Sequence, residues 1–200
     1  NEMDTILNDV NGLFMCLGFD YGYPTDTIVI EKGMTSLGAL AEDTLYTVKT
    51  TSDVNTKVNS VEINVATGNF TVVYTLKVGE KLLFTELTAL TGKPEEKFNK
   101  NVVDNDATVV ETLVGVTVPN KAVSLYVNSQ KDGAKMYVLN ADGTATTLNA
   151  AFDSNKVLTA TAKVAGPVVV TDKAITASSA TTGTGTTTNP GTGANDVVGV

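Results

Sequence analysis

Histidine and tryptophan are absent from the 200-residue chain, and cysteine occurs once. Without His there is no imidazole to serve as general base near neutral pH. There is also no Ser/His or Cys/His pair, and the commonest zinc ligand is missing. Without Trp, a sugar-binding face would rest on tyrosine. A single cysteine, Cys16, allows no internal disulfide. It lies in the apolar run Leu13-Phe14-Met15-Cys16-Leu17 and reads as a buried, inert thiol, since a thiolate nucleophile needs a base beside it. Positive charge is scarce too: Lys and Arg total 14 against 22 Asp and Glu, for a net charge of −8. That balance argues against nucleic acid and anionic membranes as partners, and it suits a dispersed acidic surface. No apolar run is long enough to span a bilayer, and no signal-peptide pattern opens the chain. The chain starts at Asn1 without an initiator Met and reads as a fragment of something longer.

The apolar share, 42%, is ordinary for a chain with a packed core. Met3, Ile6, Leu7, Val10, Leu13, Phe14 and Leu17 recur at helical spacing, which predicts an amphipathic helix over residues 1–17 with Gly18 as its stop. Gly22-Tyr23-Pro24 reads as a turn before a short strand at 27–31. Residues 35–43 read as a short second helix capped by Thr35 or Ser36. From about residue 44 the period becomes two. Residues 58–65 and 70–76 alternate on either side of Thr67-Gly68-Asn69 and form the clearest hairpin signal. A third strand follows at 82–87. Gly92-Lys93-Pro94 breaks the pattern, and residues 95–106 read as a polar loop with at most one helical turn.

Strand-like runs resume at 108–118 and stop at Pro119-Asn120. Further runs are 123–127, 135–139, 145–148, 157–162 and 168–171, with Asp132-Gly133 and Asp142-Gly143 as hairpin turns. Short strands with regular turns predict a mainly β fold, sandwich-like, in one or two small modules. The division falls softly at residues 1–98 and 99–173, with one continuous sandwich through residue 173 as the alternative. Residues 174–200 form a tail. The stretch 176–188, nearly all Thr, Ala, Ser and Gly, has no apolar face and reads as an extended tether.

The tail carries Asn189-Pro190-Gly191-Thr192-Gly193, followed by Ala194-Asn195-Asp196-Val197-Val198-Gly199-Val200. These residues resemble the sorting signal of sortase-anchored Gram-positive cell-surface proteins in its Asn-Pro-x-Thr-Gly form. Pro190 fixes φ and keeps Asn189 out of helix, so the peptide can enter a groove extended. Gly193 leaves the departing side unhindered. The resemblance implies cleavage of the Thr192–Gly193 bond by a sortase cysteine and transfer of Thr192 to peptidoglycan. It also implies a location outside the cell, anchored to the wall. The hydrophobic segment and basic tail of such signals are not part of the 200 residues.

Two weaker resemblances lie upstream. Residues 135–139, Asp142-Gly143, Leu148, 157–161 and Gly166-Pro167-Val168-Val169-Val170 are similar to a small β-module that closes the ectodomain of such proteins. The aromatic start of its last strand is replaced here by Ala165-Gly166-Pro167. Residues 74–81 and 84–87 look like strands of pilin and adhesin stalk modules, some of which contain a Lys–Asn isopeptide bond promoted by a buried acid. Glu86 would be that acid. The alternative is an exposed residue between core Phe84 and Leu87.

Other candidates are local. Tyr21 and Tyr23, flanked by Asp20 and Asp26, either form a sugar-stacking edge or take a core or turn role. Asp104, Asn105, Asp106 and Glu111 carry oxygen ligands suited to calcium, but the EF-hand spacing and its glycine are absent, which leaves a solvated loop. Asn69-Phe70-Thr71 fits a glycosylation sequon, which matters only in a eukaryotic secretory host. The acid pairs Glu42/Asp43 and Glu95/Glu96 are adjacent in sequence and suggest no cleft. The expectation is therefore a non-enzymatic surface module with no metal and no cofactor. Its partners would be sortase and peptidoglycan, with a polysaccharide or host matrix protein as a possible ligand. The alternatives are a carbohydrate-binding module and a pilin-like subunit.

Overall fold

β-Branched and aromatic residues dominate the body of the chain, and they fold mainly into β structure. The computed structural model describes residues 22–51, 60–128 and 130–179. The helix expected at 1–17, Cys16, Asp20, Tyr21 and the sorting motif at 189–193 lie outside the described residues.

The longest pairing is the expected hairpin. β3 (Ser60–Thr67) and β4 (Phe70–Lys77) pair antiparallel from Thr67↔Phe70 to Ser60↔Lys77. Gly68 takes φ 57° in the two-residue turn, a conformation open to glycine that a tight hairpin needs. Alternation buries Phe70, Val72, Tyr74 and Leu76 on one face of β4. The hairpin belongs to a five-stranded sheet ordered β12-β13-β9-β4-β3, completed by β9 (Val123–Val127), β12 (Ala151–Phe152) and β13 (Leu158–Ala162).

A second five-stranded sheet is ordered β15-β11-β10-β14-β7. Its strands are β7 (Val109–Leu113), β10 (Lys135–Leu139), β11 (Ala145–Thr147), β14 (Val168–Thr171) and β15 (Ser178–Ser179). A three-stranded sheet holds β1 (Thr25–Ile30), β2 (Leu45–Thr50) and β5 (Lys81–Leu82), with β1 and β2 parallel. β6 (Phe84–Glu86) pairs with β8 (Thr117–Pro119).

One apolar core joins these sheets. It includes Ile30 and Val48 of the three-stranded sheet, Leu76 and Leu125 of the first large sheet, and Met136 and Val170 of the second. The second sheet is also covered on its other face. There Tyr137, Leu139, Ala145 and Val169 meet Phe98 and Ile175 in a smaller cluster. Phe98 comes from α1 (Gly92–Asp104). Cover on both sides explains why all four residues of β14 are buried and why three consecutive valines precede Thr171.

Four sequence expectations need correction. Residues 35–43 are not helical. Gly38 and the Thr35-Ser36 pair favour helix poorly, and Leu37 and Leu40 reach the core from an irregular loop. Residues 95–106 are mostly helix. Thr91 caps α1 in extended backbone, Pro94 and Glu95 suit its first turn, and Phe98 with Val102 supplies an i, i+4 apolar pair. The run 108–118 breaks at Gly115, whose φ is 79°, so β7 and β8 join different sheets. Asp132-Gly133 does turn the chain, but it passes β9 of one sheet to β10 of the other; Asp142-Gly143 makes the true hairpin.

The division expected at residue 98 falls inside α1, and β4 pairs with β9 across it. The folded body also runs past residue 173: Ile175 is buried, and β15 pairs in parallel with β11.

Candidate functional site

The residues singled out in the sequence do not converge. Tyr23 is exposed ahead of β1, and Asp26 accepts a hydrogen bond from the Thr27 N–H at 2.8 Å. Glu86 is exposed on β6, opposite Thr117. A solvated carboxylate lacks the buried setting that an isopeptide-promoting acid requires. The oxygen-rich run at 104–106 finishes a helix. Asp104 pairs with Lys100 at 2.6 Å, Asn105 caps α1, and Asp106 sits at φ 55° beside Lys173. Glu111 lies apart on β7, where it accepts the Asn69 Nδ2–H at 2.7 Å. Among the described residues, no group of three or more His, Cys, Asp or Glu could hold a metal ion.

What does converge is a set of contacts on the last described residues. Residues 175–179 lie in a groove between α1 and β11. The Tyr137 hydroxyl accepts the Ile175 N–H at 3.0 Å in buried surroundings. One residue on, the Asn101 side chain grips the main chain twice. Its Oδ1 accepts the Thr176 N–H at 3.0 Å and its Nδ2 donates to the Thr176 carbonyl at 2.8 Å. A side-chain amide has the same donor and acceptor as a peptide unit, so Asn101 stands in for a neighbouring strand. Asn105 Nδ2 donates to the Thr176 hydroxyl at 3.2 Å and to Asn101 Oδ1 at 2.8 Å, which fixes the orientation of the Asn101 amide. Thr146↔Ser178 and Thr147↔Ser179 then continue the grip as main-chain pairing.

The Ile175 side chain anchors the segment beneath Phe98 and beside Tyr137. Full burial of such a side chain is worth about 2 kcal/mol. A cavity of about 420 Å³ remains alongside, bounded by Lys97, Lys100 and Asp104 of α1, Gly143 and the 176–178 segment.

The floor of this groove is set by the β10–β11 turn. Asp142 Oδ1 accepts the Thr144 hydroxyl at 2.6 Å and the Thr144 N–H at 3.0 Å. These bonds, the hydroxyl first, hold the Asp142 carboxyl below the usual carboxylate range. Gly143 takes φ 92°, and a Cβ there would run into the Pro94 carbonyl at the start of α1. Glycine therefore lets the helix seat on the turn. Asn101 and Tyr137 escape sequence reasoning because neither carries a motif; their partners lie 75 and 38 positions away.

The chain matches no protein-family model, no curated protein and no solved structure.

Proposed function

We propose that this chain is a wall-proximal structural and adhesive module of a Gram-positive surface protein. It has a sandwich-like β body and is joined covalently to peptidoglycan at Thr192. The reading rests on the Asn-Pro-Gly-Thr-Gly sequence at 189–193. The observation that carries it is the clamp on residues 175–179, a reinforced root for the segment that leads to that sequence. Thr192 lies thirteen positions past Ser179, so the acceptor carbonyl lies at most ~45 Å along the chain from the body.

In the chemistry implied, a sortase cysteine attacks the Thr192 carbonyl. The Thr192–Gly193 bond breaks, and Gly193 leaves as a free amine. An amine of the wall precursor then takes the acyl group from the enzyme. The body's part is to stay folded while its last strand bears the load. Incubation with a sortase that accepts Asn-Pro-x-Thr-Gly and a glycine nucleophile tests this. The intact mass should fall by residues 193–200 and rise by the nucleophile, and Thr192→Ala should stop the change. An unchanged mass, while a short peptide spanning 189–193 is processed, would count against the reading.

Exposed Tyr23 favours carbohydrate binding as a second reading. That reading expects retention on an insoluble polysaccharide, lost when Tyr21 and Tyr23 become Ala.

A further inference from the structure

Two tyrosines flank Phe84 in the core. Tyr46 and Tyr74 meet its ring edge-on, with centroids at 5.9 and 6.2 Å. Their hydroxyls are treated differently. The Tyr46 hydroxyl accepts the Ala41 N–H at 2.8 Å. Tyr74 is only 5% exposed, yet among the described residues its hydroxyl has no hydrogen-bond partner. Buried hydroxyls are normally paired, so an orphan of this kind calls for an explanation.

Tyr74 lines a cavity of about 370 Å³ between the 36–40 loop, the Ile63–Val65 stretch of β3 and the Gly115–Thr117 corner. Leu37, Leu40, Ile63, Val65 and Val116 supply most of its apolar lining, and no Lys, Asp or Glu borders it. The volume lies at the lower end of the range for small-molecule sites, and Ser36, Asn64 and Thr117 share the lining with these apolar residues, so the wall is mixed but uncharged.

We propose that this cavity binds a small uncharged molecule with an apolar body and a hydrogen-bond-accepting oxygen, and that the Tyr74 hydroxyl donates to that oxygen. Absence of charge in the lining selects a neutral ligand, because a buried ion there would have no counter-charge. The hydroxyl acts as donor because burial pushes its pKa up to about 12, so it keeps its proton.

Cyclohexanone serves as probe and cyclohexanecarboxylate as its charged counterpart, titrated into the isotope-labelled full chain and followed by amide NMR shifts. Cyclohexanone should give saturable shifts confined to residues 36–40, 63–65 and 115–117. The carboxylate should bind at least about tenfold more weakly. Tyr74→Phe should weaken cyclohexanone about 3- to 10-fold, the value of one hydrogen bond. The ligand-free Tyr74→Phe chain should unfold at the same urea concentration as the parent or a higher one. Dispersed or non-saturating shifts, equal binding of the two probes, or undiminished affinity in Tyr74→Phe would overturn the proposal. So would a lower unfolding midpoint for Tyr74→Phe, which would show that the hydroxyl already has a partner.

Discussion

Tyr74 ties burial to pH at the level of one residue. Its pKa rises from 10.0 to about 12 on folding, by loss of hydration. The sign follows from which state gives up the proton first. Below pH 10 both states hold it and nothing changes. Above pH 10 the unfolded chain ionises while the folded one does not, so stability falls until about pH 12. Urea midpoints measured from pH 9 to 12 should therefore fall more steeply in the parent chain than in Tyr74→Phe. Parallel profiles would contradict the assignment.

Asn101 gives a second single-residue prediction. Asn101→Ala removes both bonds to Thr176 and should cost about 1 kcal/mol, because the site is partly solvated. By hydrogen exchange, the Thr176 amide should lose protection while the Ile175 amide, held by Tyr137, keeps it. Unchanged exchange at Thr176 would mean that the amide pair does not hold the segment.

At the scale of elements, the seat of α1 on the β10–β11 turn is sensitive to one added carbon. Gly143→Ala sets a Cβ against Pro94 in a left-handed backbone and should cost roughly 2 kcal/mol or more. Gly33→Ala shares the positive φ but has no atom within 4 Å of the added Cβ, so it should cost only about 1 kcal/mol. Urea midpoints of the two variants check the difference; equal losses would remove the steric part of the argument.

The elements also show what the sequence could reveal. The β3–β4 hairpin was legible because alternation and the Gly68 turn agree. The buried run of β14 was legible because Val168, Val169 and Val170 read as strand. α1 was not, because Phe98 is its one buried residue and most of its other residues are polar or charged. Residues 35–43 show the reverse: Leu37 and Leu40 have helical spacing but face the core from a loop. The switches between sheets at Gly115 and Asp132-Gly133 depend on which distant strand each run meets, and local pattern carries no such information.

For the whole molecule, ordered packing extends past the change in composition. Composition changes near Lys173, but folding continues to Ser179. A chain ending at residue 173 would lose Ile175 from between Phe98 and Tyr137 and should be about 2–4 kcal/mol less stable than one ending at residue 179. Equal urea midpoints for the two truncations would show that the 175–179 segment adds nothing. The clamp was not legible, because it exists only after Asn101, Tyr137 and β11 have been brought to one groove.

The central claim is a covalent link at Thr192, and the chain makes it directly readable. Within the 200 residues no Lys or Arg follows Lys173, so trypsin cuts after it and releases a peptide that starts at Ala174. Walls of the source cells would be stripped with hot detergent, digested with muramidase and trypsin, and analysed by mass spectrometry. The account predicts a peptide that runs from Ala174 to Thr192 and carries a peptidoglycan fragment on the Thr192 carbonyl. A peptide that continues through Gly193, with no wall fragment attached, would contradict it.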